Sequence, residues 1–245
     1  MMTLQENRRE NEVGWFKISS QPEIWSYSVS NRSFFDLRML AIRLIDGSFM
    51  VYSPISSVEE EIWRALDQMG RVSTLFAPNH YHSLGLQPCL GRYGQLRLIA
   101  ASDAIPRLTK KTSLVFETTE ALSPLLPKGL NLATPEGLKG GETWLYTQTV
   151  DESDGDRKQL LIVCDAFFNM SHPKSGLMHV IFRLAGTYPG LRVSRLFPLI
   201  GAQDMDQYKA WLREFLARVS PSVLIPAHGE IIERTDLADK LLALL

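Results

Sequence analysis

Histidine is scarce in this chain and cysteine nearly absent: 5 His and 2 Cys among 245 residues. Cys89 lies in a polar segment and Cys164 inside an apolar run, so no disulfide framework can be drawn, and a reducing compartment is expected. Charge of neither sign prevails, with 26 Lys and Arg against 27 Asp and Glu. Lacking a broad positive field, the chain has no general attraction to a phosphate backbone, and nucleic acid is not expected as a partner. Long apolar runs are missing too: none reaches the roughly 18 residues of a membrane span. The start, Met1 to Glu10, is polar and charged rather than a leader with an apolar centre, so a cytoplasmic protein without a membrane partner is expected.

What is present matches an ordinary globular domain, with 45% hydrophobic and 22% charged residues. Such a chain buries a full core without staples. No segment reads as a linker, which predicts one domain over residues 1–245, with residues 1–20 as a peripheral N-terminal extension. Met39 to Ile45, Asp46-Gly47 and Ser48 to Tyr52 predict a hairpin, since Asp-Gly suits a tight type I′ turn. Ser57 to Glu60 matches a capping box before a helix closed by Gly70. Val72 to Phe76 and Leu96 to Ala101 read as strands, and Leu108 to Leu138, interrupted by three prolines, as an irregular crossover. Thr143 to Thr149 and Gln159 to Val163 read as a second hairpin with the acidic tip Asp151 to Asp156. That tip reads as a solvated loop, because a calcium loop needs a terminal bidentate Glu and flanking helices. Met205, Tyr208, Leu212, Phe215 and Val219 fall on one face of a helix, Val223 to Ile225 form a short strand, and Thr235 caps a last helix. Hairpins mixed with strand–helix units argue for mixed sheets covered by helices.

Polar breaks at three strand ends hold the chemistry. Ala77-Pro78-Asn79-His80-Tyr81-His82-Ser83-Leu84-Gly85 follows the first of these strands, Asp165 ends Leu160 to Cys164, and Pro226-Ala227-His228-Gly229-Glu230 follows the last. In extended backbone the imidazoles of His80 and His82, at i and i+2, point the same way and can reach one ion. Taken singly, each has a plain structural role open to it: a loop histidine bonded to backbone, an Asp capping a turn, a His beside a turn glycine. His172 and His179 read as structural histidines, and Cys164 as a small buried apolar residue.

With those residues in view, the chain resembles the metallo-β-lactamase-like superfamily, as a divergent branch with an incomplete metal-binding motif. That superfamily carries a His-x-His-x-Asp-His loop after a strand, a later His, a strand-terminal Asp bridging two metals, and a final His in a short turn with Gly. His80 and His82 match the opening pair, Asp165 the bridging acid and His228 the last ligand. Leu84 and Gly85 stand where the pattern has Asp and His, and no His lies in Trp144 to Thr149, where the middle ligand belongs. The resemblance implies an α/β fold, an αββα sandwich of two mixed sheets flanked by helices. It also implies a metal-dependent hydrolase of a small-molecule substrate, with a reduced, single-ion site. The implied ligands are His80, His82, Asp165 and His228. The implied ion is a divalent metal, zinc first and iron or manganese next. Asp165 is the implied catalytic residue, ligating or orienting water, with Asn79, Tyr81 and Glu230 near the substrate. Four protein ligands would fill a tetrahedron, so catalysis would need a weak ligand or a fifth position.

Two further readings stay open. Tyr81-His82-Ser83-Leu84-Gly85 is one residue from a Gly-x-Ser-x-Gly elbow, and Ser83, Asp165 and His228 run in the chain order of an α/β-hydrolase triad. Against it, the elbow's first glycine is replaced by the bulky Tyr81. Alternatively, the motif losses leave a catalytically inactive binding protein of the same fold.

Overall fold

The computed structural model describes residues 14–30, 36–150, 155–170 and 176–245. His172, the start of the acidic tip at Asp151 and residues 1–13 lie outside the described residues.

Two sheets form the body. The first is built from β1 (Phe16–Ser20), β2 (Glu23–Val29), β3 (Leu37–Arg43), β4 (Phe49–Tyr52), β5 (Val72–Ala77), β6 (Arg97–Ala100) and β7 (Glu117–Thr118), side by side in chain order. It is antiparallel from β1 to β4 and parallel from β4 to β7. The parallel half needs crossovers, and α1 (Glu60–Met69), α2 (Leu86–Tyr93) and α3 (Ile105–Thr112) occur within them, while α4 (Thr119–Leu122) follows β7. The second sheet contains β8 (Asn131–Ala133), β9 (Trp144–Val150) and β10 (Arg157–Val163), with a ribbon of β11 (Phe168–Met170) and β12 (Gly190–Arg192) nearby in the chain. After α5 (Gly176–Ala185), α6 (Phe197–Ile200) and α7 (Met205–Val219), the chain adds β13 (Val223–Pro226) and β14 (Ile232–Glu233), then α8 (Leu237–Leu242). The second sheet runs β14-β13-β10-β9-β8, with β10 and β13 parallel.

Strand alternation decides the layering. Leu40 and Ile42 of β3, Leu160 and Ile162 of β10, and Val223 and Ile225 of β13 share one core between the sheets. Their neighbours point outward: Met39 and Ala41 pack with Trp63 and Leu66 of α1 and Leu108 of α3. On the far side, Leu161, Val163 and Leu224 pack with Leu212 and Phe215 of α7 and Leu237 of α8. Successive side chains of a strand face opposite sides, so a strand apolar at every position demands cover on both. Two such sheets can satisfy this only as helix, sheet, sheet, helix. Each fully buried aliphatic side chain contributes roughly 1.5–3 kcal/mol.

Local expectations hold for most strands and fail at several ends. The Asp46-Gly47 connection is longer than a two-residue turn. Leu44 N–H donates to Ser48 O, Asp46 Oδ1 accepts from Ser48 N and Oγ, and Gly47 alone takes positive φ, at +82°. The capping box is not formed: α1 starts after Glu59 with no side-chain cap. Asp236, not Thr235, precedes α8. Helix α7 is capped by Asp204, which accepts from the N–H groups of Asp206 and Gln207. Phe16–Ser20, expected in a peripheral extension, is an edge strand, and the fully buried Trp15 beside it donates its indole N–H to Ile62 O.

Candidate metal centre

The polar breaks after β5, β10 and β13 meet at one edge of the sandwich. There Nε2 of His228 lies 2.9 Å from Oδ1 of Asp165, and Nε2 of His82 lies 3.3 Å from the same oxygen. A tetrahedral ion at ~2.0–2.2 Å from its ligands sets them ~3.3–3.6 Å apart. Among the described residues these three form a group able to hold a metal, all ligand atoms falling within 4.8 Å of one another.

The outer nitrogens are engaged elsewhere. His228 Nδ1 is 2.8 Å from the carbonyl oxygen of Asp36, and His82 Nδ1 is 2.8 Å from Ser53 Oγ. A carbonyl only accepts, so His228 carries its hydrogen on Nδ1. In the neutral ring Nε2 then directs a lone pair at a carboxylate oxygen, and two acceptors face each other. Such a contact needs a proton or a metal ion between the two atoms. The donor set therefore fits a divalent cation: two imidazole Nε2 atoms and one carboxylate oxygen, with both rings oriented by outer hydrogen bonds. Phe168 stacks on His228 at 5.3 Å and fixes its plane further.

Asp165 is held from three sides. Asn79 Nδ2 donates to its Oδ2 at 2.6 Å. Burial alone would raise its carboxyl, yet the His82 and His228 imidazoles hold it well below the usual carboxylate range. Behind it the buried Glu142 accepts from Trp144 Nε1 at 2.7 Å and from the backbone N–H groups of Cys164, Asp165 and Ala166 at 3.1, 3.1 and 3.2 Å. Burial first, then the charge of Asp165, push the Glu142 carboxyl up to about 7. One carboxylate thus shapes the strand end that presents the other.

His80, expected as a ligand, is not part of the group. Asn79 Oδ1 accepts from the N–H groups of both Tyr81 and His82, at 2.8 and 3.2 Å, which curls the loop. Side chains at i and i+2 align only in extended backbone, so the two imidazoles diverge. The His80 ring packs instead on Tyr81, with centroids 4.0 Å apart, and against Gly140, where an added Cβ would fall 2.3 Å from its Cε1. Burial, then repulsion from Arg107, lowers the His80 pKa and favours a neutral ring. An ion held by His82, Asp165 and His228 alone would keep one open position of a tetrahedron.

The serine triad is not formed either. Ser83 Oγ is buried without a hydrogen-bond partner, and both nitrogens of His228 are engaged, by Asp36 and Asp165. No nitrogen of His228 is left to act as base toward Ser83. His179, on α5, lies edge-on to Tyr188. Cys164 is fully buried and its thiol is raised far above its ordinary value, first by burial.

Sequence reasoning missed Glu142, Ser53 and Arg38. Arg38, on β3, donates to Ser26 Oγ and to the carbonyl oxygens of Pro226 and Gly229, tying the His228 turn to the first sheet. A signal existed for two of the three: Glu142 follows Gly140-Gly141 directly before a strand, and Ser53-Pro54 ends one. Neither says which partner it meets.

A cavity of about 510 Å³ opens over the centre, lined by His82, Asp165 and His228 at its base and by residues of α5 and α6. No helix among the described residues is long and apolar enough to cross a membrane.

No protein-family model and no curated protein matches this sequence. Solved structures do match it in fold. The DIM-1 metallo-β-lactamase superposes with a TM-score of 0.57 at 12% identity, covering 96% of this chain and 97% of its own. A metallo-β-lactamase from Pontibacter korlensis gives 0.52 at 11%, covering 95% and 98%. A mutant flavo di-iron protein from Thermotoga maritima gives 0.54 at 17%, and the match spans 95% of this chain but only 60% of that one. The chain thus has the metallo-β-lactamase fold, two mixed sheets between helices.

Proposed function

We propose that this protein is a metal-dependent hydrolase with a one-ion centre held by His82, Asp165 and His228. The observation that carries the reading is the facing of His228 Nε2 and Asp165 Oδ1 at 2.9 Å with Nδ1 committed to the Asp36 carbonyl. Structural neighbours named metallo-β-lactamases and a flavo di-iron protein support a metal-binding reading. Two imidazoles and one carboxylate with an open position suit zinc, as in hydrolytic sites, and also ferrous iron or manganese. Such an ion, when bound, polarises a carbonyl and brings a water near pKa ~7.

The chain's own residues have separable tasks. Ser53 and the Asp36 carbonyl orient the two imidazoles, and Asn79 fixes Asp165 so that Oδ1 faces them. Glu142 anchors the 164–166 backbone from behind. The apolar cavity wall above the centre excludes bulk water from bound substrate. Elemental analysis of protein purified without added metal tests the reading. The expected result is one equivalent of zinc, iron or manganese, lost in His228→Ala, together with ester or amide hydrolysis that a chelator abolishes. Metal bound without any hydrolysis identifies a binding protein, and absence of metal from the native protein refutes the proposal.

A second reading rests on Ser53. Its Oγ is 2.8 Å from His82 Nδ1, whose Nε2 faces Asp165, and it takes a strained φ of +56° at the end of β4. That row has the order of a serine nucleophile, its base and an orienting acid. Labelling of Ser53 by a fluorophosphonate in metal-free protein would favour it over the metal centre.

A further inference from the structure

From the cavity above the centre we infer the substrate class: an uncharged carboxylic ester, thioester or amide bearing an extended apolar acyl chain. This rests on the hydrolase reading for its chemistry but on the cavity wall for its specificity. The apolar lining of the cavity includes Met178, Ile181 and Phe182 of α5 and Leu196, Phe197 and Ile200 at α6. At about 510 Å³ the space lies within the range of small-molecule sites, ~300–1,000 Å³. Several of its lining side chains stay in contact with water: Ile181 is 43% exposed, Leu196 45% and Ile200 54%. Apolar groups clustered around a concave space and still wet are stabilised when a ligand's own apolar surface displaces that water.

Charge narrows the class further. Lys139 is the one cation lining the cavity among the described residues, and its Nζ already donates to Leu199 O. Asp165 and Glu142 lie at the base. A phosphate ester or nucleotide would bring one or more negative charges to a wall with no arginine, where the ion's own charge is already offset in part by Asp165 and Glu142, leaving little counter-charge for its desolvation. An acyl compound brings none. Its carbonyl lies at the His82, Asp165 and His228 end and its chain runs toward α5. Hydrolysis joins the water oxygen to the acyl carbon and breaks the acyl–heteroatom bond. One water proton goes to the departing heteroatom, and the acid product releases its own to solvent.

Calorimetric titration with 2-heptanone and 2-undecanone, uncharged and non-hydrolysable methyl ketones that differ by four methylenes, tests this on the purified full chain. Each added methylene buried in the cavity tightens binding about fourfold, so the longer chain is expected to bind roughly 200-fold more tightly. Ile181→Asp and Leu196→Asp, both at half-exposed positions, are expected to abolish that difference while leaving the melting temperature and metal content unchanged. Equal binding of the two probes by protein that holds its metal overturns the acyl class and leaves the hydrolase reading intact. Chain-length dependence in protein that holds no metal does the reverse: the cavity assignment stands and the hydrolase reading fails. If neither metal nor either probe binds, both are wrong.

Discussion

Replacing Gly229 by alanine separates backbone strain from steric contact at the turn that carries His228. Gly229 takes φ +97°, and an added Cβ would lie 2.0 Å from Asn169 O, 2.3 Å from its carbonyl carbon and 2.7 Å from Met170 N. All three are backbone atoms of β11, so no rotamer change relieves the clash. The two segments must separate by about 1.4 Å or more to restore ordinary contact. That separation breaks two hydrogen bonds, Asn169 N–H to His228 O at 3.0 Å and Glu230 N–H to Asn169 O at 2.8 Å. Left-handed backbone costs a non-glycine residue roughly 1–2 kcal/mol, and each hydrogen bond contributes ~0.5–1.5 kcal/mol. The expected loss is about 2–5 kcal/mol. Gly47→Ala is the control: it shares positive φ, at +82°, but a Cβ there meets nothing within 4 Å, so only the conformational cost of ~1–2 kcal/mol applies. Urea unfolding of both variants measures the difference from the midpoints at unchanged slope. Metal content of Gly229→Ala is expected to fall as well, because His228 moves with the turn. A Gly229→Ala protein no less stable than Gly47→Ala, with its metal intact, would refute the reasoning.

Other perturbations probe the remaining assignments. His80→Ala is expected to keep the bound metal, whereas His82→Ala and His228→Ala lose it; elemental analysis decides, and metal-free His80→Ala contradicts the three-ligand centre. Ser53→Ala removes the partner of His82 Nδ1 and is expected to weaken metal affinity ~10–100-fold in a competition titration with a chromophoric chelator. Glu142, raised to about 7 from its ordinary 4.5, holds its proton more tightly folded than unfolded. Its contribution is therefore full below pH ~4.5 and lost as pH rises through ~7, by about 3 kcal/mol at most. His80 acts in the opposite sense: its lowered pKa makes stability rise with pH up to its unfolded value near ~6.5. Comparing wild type with Glu142→Gln over this window isolates the carboxyl, and parallel curves would show that Glu142 does not titrate there.

Much of the architecture is legible in the chain because it follows from local chemistry. Leu160 to Val163 is apolar at every position, which requires cover on both faces, and α1 and α7 show apolar residues at helical spacing. Helix starts read less well. Ser57 and Glu60 satisfy a capping pattern, yet α1 begins without a side-chain cap; its burial of Ile62, Trp63 and Leu66 outweighs a contribution of about 1 kcal/mol from a cap.

Composition and spacing alone determined that His82, Asp165 and His228 stand at strand ends, since each follows an apolar run long enough to cross the sheet. Only the tertiary structure decided that His80 leaves the group and that Asn79, Glu142 and Ser53 support it. The Asn79 side chain bends a loop that spacing treats as extended, and it meets Asp165 from 86 residues away. Ser53 and His82 come from different strand ends of one sheet, and Asp165 from the other sheet. Contacts of that kind depend on how two twisted sheets stack, and no local pattern in the chain encodes that distance.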